Sequence, residues 1–220
     1  MLSTFDDAYL ETRRVLEGLS EPKAPYKALT AWIAEQSGGA NVLNAVYEMT
    51  ASRPCLTVVM ERDSDVAGFA GGEPGTRAVH AQIASRLREI LAEQRNERVV
   101  TENILVIVSA FAPTNRIEAN HKVPPEAISD FQNKLADRSI WLIKPNFEYL
   151  RVFFNAESDV AVSERSGFRE QIAKQYQAVI APYDDFGYVR ETPIELVFDS
   201  RERFDRVYKG NWFGYDRDNP

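Results

Sequence analysis

The chain has 220 residues, 44% of them apolar and 27% charged, an ordinary globular composition that argues against an intrinsically disordered polymer. Its formal charge of −7, from 33 acidic and 26 basic side chains, disfavours nucleic acid, whose phosphates are bound by Lys and Arg. The single cysteine, Cys55, has no partner for an internal disulfide, the N-terminal MLSTFDDAYLETRRV lacks a signal-peptide pattern, and the longest apolar run, ILVIVSAFA, has strand length, so the expected setting is a reducing cytoplasm with no membrane span.

The first predicted element is a helix over residues 5–19, with Thr4 as cap and Asp6 and Asp7 in the first turn, where carboxylates suit the helix dipole. Pro25 introduces a second helix carrying Tyr26, Leu29, Trp32 and Ile33 and stopped by Gly38 and Gly39. VLNAVYEMT and CLTVVME then form a hairpin through Ala51, Ser52, Arg53 and Pro54. Alternation places Leu56, Val58 and Met60 on one face and the more polar set Cys55, Thr57, Val59 and Glu61 on the other. The second strand exits through Asp63, Ser64 and Asp65 into a glycine-rich loop, GFAGGEPGTR. A helix with the stripe Val79, Ile83, Leu87, Ile90 and Leu91 follows, and NILVIVSAF supplies a third strand.

After a connector over residues 113–123, the same order returns. LTVVMERDSDV is echoed by LRVFFNAESDV, and the helical stripe by Phe168, Ile172, Tyr176, Val179 and Ile180 at identical spacing. The tripeptide Gln82, Ile83, Ala84 reappears as Gln171, Ile172, Ala173, which fixes the shared register. Pro125 introduces the helix before the second hairpin, SIWLIKP and YLRVFFN, and PIELVFDS is the last strand. The predicted fold is α+β, a tandem duplication of a helix-strand-strand-helix-strand unit. The expected divisions are an N-terminal helix (1–22), repeat 1 (23–112), the connector (113–123), repeat 2 (124–200) and an aromatic-rich C-terminal helix and tail (201–220). The unit's helices cover only one sheet face. The second face is expected to be completed by the other copy, through two packed small mixed sheets or one joined six-stranded sheet.

Candidate chemistry is sparse. The repeated strand exits place Asp63, Asp65, Glu157 and Asp159 where carboxylates could hold Mg²⁺ or Ca²⁺, although Ser and Asp at such positions also simply terminate strands and cap turns. No other cofactor is indicated. The glycine-rich loop lacks the Lys-Ser/Thr of a P-loop, and Glu73 would repel a phosphate, so it reads as a mobile insertion. His80 and His121 have no sequence neighbour suited to catalysis, and Cys55 reads as a small strand filler. The tail crowds Phe204, Tyr208, Trp212, Phe213 and Tyr215 together. The expectation is that the tail folds back and buries them on the chain's own sheet; in the alternative, Tyr208, Trp212, Phe213 and Tyr215 are the candidate partner-binding residues. The expected function is therefore a non-enzymatic cytoplasmic binding protein, an adaptor, regulator or immunity-like inhibitor that contacts a basic protein partner or a second copy of itself. The alternative is a small metal-dependent hydrolase built on the acidic strand exits.

Overall fold

A computed structural model of the chain describes residues 2–70, 73–96, 98–135, 139–146 and 149–219, with the backbone alone at 68, 70 and 73–76. It divides into two compact units, Met1–Thr114 and Asn115–Pro220. The first holds α1 (Asp7–Leu16), α2 (Ala24–Gln36), β1 (Val42–Met49), β2 (Pro54–Met60), α3 (Asp63–Ala70), α4 (Glu73–Glu93) and β3 (Leu105–Ala110). Helix α5 (Ala112–His121) begins in the first unit and ends in the second. The second unit continues with α6 (Pro125–Leu135), β4 (Ile140–Asn146), β5 (Tyr149–Phe154), α7 (Glu157–Arg165), α8 (Phe168–Ile180) and β6 (Glu195–Ser200). It closes with α9 (Arg201–Arg203), a π-helical turn (Phe204–Tyr208) and α10 (Trp212–Asp218).

The fold is α+β, and the duplicated unit is visible in the strand pairing. Each unit has one three-stranded sheet, ordered β1-β2-β3 or β4-β5-β6, in which a hairpin is antiparallel and the third strand joins parallel to the second. A parallel third strand requires a long crossover, which the helix pairs α3–α4 and α7–α8 provide. The repeat holds residue by residue. Leu56 pairs with Val106 as Leu150 pairs with Leu196, and Val58 with Val108 as Val152 with Phe198. Even the irregularity recurs, because the hairpin register shifts between Val42 and Asn44 in one copy and between Ile140 and Leu142 in the other.

The expected helix stripes form the cores. Ile83 and Ile172 are both fully buried, the first with Leu29, Leu56 and Val58, the second with Leu150, Val152 and Tyr176. Gly39, at φ 103°, is in a conformation that favours glycine, and its N–H caps Ala34 O at 3.1 Å where α2 ends.

Four stretches differ from the sequence expectation. The strand exits are not loops but short helices. Asp65 accepts the Arg62 N–H at 2.9 Å and Asp159 accepts the Ala156 N–H at 3.2 Å, so the repeated acids cap α3 and α7. Val66, Phe69 and Val160 then pack against the cores. The expected connector is largely α5, whose inward residues include Thr114, Asn115 and Asn120; a helix that buries polar side chains leaves no apolar period to read. Helix α1 starts at Asp7 rather than Phe5, with Asp6 at its cap position accepting Ser3 N–H at 2.7 Å. The tail holds two helical segments rather than one, α9 capped by Ser200 Oγ and α10 by Asn211 Oδ1. In the glycine-rich stretch, Gly71 and Gly72 lie outside the described residues, and α4 begins at Glu73.

The second face of each sheet is covered from within its own unit, and from opposite ends of the chain. In the first, α1 packs on β1 and β2, with Tyr9 fully buried and stacked on Phe111 at 4.8 Å between ring centroids. Cys55, Thr57 and Val59 are consequently as buried as the core face of β2. In the second unit, the C-terminal segment lays Phe204 and Tyr215 on Phe153, with Trp141 and Trp212 at the margin.

Candidate functional site

The acidic strand exits serve the chain's own geometry. Asp63 and Asp65 lie in the first turn of α3, and Glu157 and Asp159 in the first turn of α7. Glu157 makes a two-pronged ion pair with Arg206 at 2.8 and 3.0 Å, and this hydrogen-bonded guanidinium holds its carboxyl below the ordinary value of 4.5. Among the described residues, no group of three or more His, Cys, Asp or Glu side chains is placed to hold a metal ion. His80 lies on α4, where partial burial lowers its pKa, and His121 closes α5. Cys55 is buried in β2, and burial raises the pKa of its thiol.

The C-terminal aromatics divide sharply. Tyr215 is fully buried, Tyr208 and Trp212 are half-buried, and Phe213 is 78% exposed. Trp212 lies 4.2 Å from Phe204 and 5.3 Å from Phe153 between centroids, with the Lys144 ammonium 4.6 Å above its ring. The polar partners of this cluster were not singled out from sequence. Arg151, 1% exposed, projects from the second face of β5 and donates to Tyr149 Oη at 2.7 Å and to Asp216 Oδ1 at 3.2 Å; its guanidinium also stacks over Tyr215. Lys144 reaches the same Asp216 at 2.8 Å. Asp199, also buried, accepts the Tyr215 hydroxyl at 2.6 Å, the Ser200 N–H at 2.7 Å and the Arg203 guanidinium. Burial and the Asp199 hydrogen bond push the Tyr215 phenol above its ordinary range. A buried charge is tolerated only with such partners, so these groups lock the tail to the sheet.

The corresponding region of the first unit is acidic and has open space. A hollow of about 240 Å³ lies where α1 and the start of α2 flank β1. Its rim carries Asp7 and Glu11 from α1, Glu21 from the connection, and Glu48 from β1, and Lys23 is the one cation among the described lining residues. Glu11 meets Arg14 at 3.3 Å, an exposed pair; among the described residues no basic side chain pairs with Asp7, Glu21 or Glu48. Tyr26 and Tyr47 form the opposite wall, their rings stacked at 6.5 Å, and burial next to Tyr47 pushes the Tyr26 phenol up to about 12. A second hollow shares Asp7 and Glu48 and extends over Thr57, Ile107 and Ser109 toward Leu2 and the exposed Phe5.

This surface was missed in the sequence because its acids lie far apart in the chain. The available signal was the spacing of Asp7 and Glu11, four apart on one helical face, which reads equally as dipole stabilisation and solvation. The two units differ here in charge: Val46 and Thr57 pair across the first sheet at the register where Lys144 and Arg151 pair across the second.

Fold and surface together define a duplicated α+β protein with two three-stranded mixed sheets and one acid-rimmed face. No family model matches the chain, and no curated protein or solved structure matches it. Among the described residues, no helix is long and apolar enough to cross a membrane.

Proposed function

We propose that the protein is a non-enzymatic cytoplasmic binding protein that works by contact with a basic protein partner. The observation that carries this reading is the hollow beside β1, where Asp7, Glu11, Glu21 and Glu48 surround an aromatic wall. Asp7, Glu21 and Glu48, with no cationic partner among the described residues, and Glu11, held only in an exposed pair with Arg14, stand beside apolar surface and favour a ligand that brings both positive charge and apolar contact; the net charge of −7 steers such a ligand inward. An adaptor, a regulator and an inhibitor would all use the surface in this way.

The test is capture from the native source by immobilised protein, run in parallel with a Glu11→Lys/Glu48→Lys double variant of unchanged circular dichroism. Expected is a basic partner retained by the unmodified protein, released by salt and lost with the double variant. Retention of the same proteins by both baits, or of none by either, refutes the reading.

A further inference from the structure

The hollow beside β1 has an unusual lining. Five consecutive residues of one strand, Asn44, Ala45, Val46, Tyr47 and Glu48, all border it. Successive strand side chains point to opposite sheet faces, so a space touched by all five straddles the strand and opens on its backbone edge. One edge of β1 is bonded to β2 and the other has no strand beside it among the described residues, because β1 is terminal in the order β1-β2-β3. In an antiparallel pair every second residue turns its N–H and C=O outward, which here means into the hollow.

The two sides of that edge have different chemistry. Asn44, Val46 and Glu48 pair with Val59, Thr57 and Cys55 on the second face, the side of α1, where Asp7 and Glu11 stand one turn apart. Ala45 and Tyr47 pair with Val58 and Leu56 on the core face, the side of α2, where Tyr26 stands. Asn44 is more than nine-tenths buried. Its Oδ1 takes the Ala45 N–H at 2.9 Å, and the residue lines the hollow.

We infer that β1 accepts an extended segment of the partner as a fourth strand, and that this segment alternates basic with apolar residues. Backbone pairing along the five residues spans about 17 Å. Lys or Arg side chains at alternate positions meet Asp7, Glu11 and Glu48, and the intervening side chains lie on Tyr26 and Tyr47. Main-chain bonds supply affinity, and the alternating pockets supply selectivity. A second copy of this chain is a poorer occupant, because it would bring the same carboxylates against themselves. The inference rests on the proposed basic partner and adds the mode of binding.

The experiment uses the full chain and a fluorescent peptide of about six residues alternating Lys with Ile, acetylated and amidated, titrated by anisotropy. Two further peptides are N-methylated at alternate amides, one on the odd and one on the even residues. Strand addition predicts that one methylated series loses binding by about tenfold or more while the other, whose methyls face solvent, keeps it, and that Glu11→Lys/Glu48→Lys weakens all binding by at least about tenfold. Equal binding by all three peptides overturns the strand mode and leaves the basic-partner reading standing. No binding by the unmodified peptide overturns the strand mode too, and the partner reading is then decided by the capture experiment alone. A salt-insensitive dimer that protects the amides of residues 44–48 from hydrogen exchange without peptide identifies a second copy as the occupant and overturns the choice of a basic segment.

Discussion

Replacing Trp212 and its neighbour Phe213 by alanine, one at a time, separates an aromatic that holds the tail from one that does not. Trp212 is partly buried against Phe204, Phe153 and Trp141. With about two thirds or more of a side chain of roughly 240 Å² out of water, at about 25 cal/mol per Å², its burial contributes about 4 kcal/mol, and the unfilled space left beside Phe204 adds to that. Phe213 keeps 78% of its surface in water, so its removal forfeits about 1 kcal/mol or less by the same reckoning. The assay is urea unfolding followed by far-ultraviolet circular dichroism, since fluorescence would lose a reporter with the tryptophan. At a slope of about 1.5 kcal/mol per M, Trp212→Ala moves the transition of the second unit down by about 2.5 M or more and Phe213→Ala by less than about 1 M. A Trp212→Ala protein as stable as its parent, or equal losses from both variants, refutes packing of the tail on its own sheet and makes the tail aromatics an interaction surface.

Ile83→Ala and Ile172→Ala remove matching fully buried side chains and are each expected to cost about 2 to 5 kcal/mol in denaturant melts; a near-neutral result at either site denies the shared stripe. The Glu157 carboxyl, followed by NMR titration, should have its midpoint below 4.5, and Arg206→Gln should return it toward that value. Because the folded pKa is depressed, the pair stabilises the fold above the unfolded value and loses this contribution as pH falls through the folded one, and a midpoint indifferent to Arg206→Gln refutes the assignment.

The repeat and its strands were legible in the amino-acid order because both rest on local periodicity. Alternation marked β2 and β5, turn chemistry marked β1 and β4 as their hairpin partners, the stripes through Ile83 and Ile172 marked α4 and α8, and a repeated tripeptide fixed the helices' register. Helices α3, α5 and α7 were hidden for a physical reason: they are short or bury polar groups, and depend on single caps such as Asp65 and Asp159 or on inward residues such as Thr114 and Asn120. What covers the second sheet faces was decided by tertiary packing, since neither the stacking of Tyr9 on Phe111 nor the seating of Tyr215 on Phe153 has a signature in sequence spacing. The same holds for the acid-rimmed edge of β1. Asp7, Glu11, Glu21 and Glu48 belong to three separate stretches of chain, and each is an unremarkable surface carboxylate until α1 lies across the sheet and brings the four around the edge of β1 that no strand among the described residues covers.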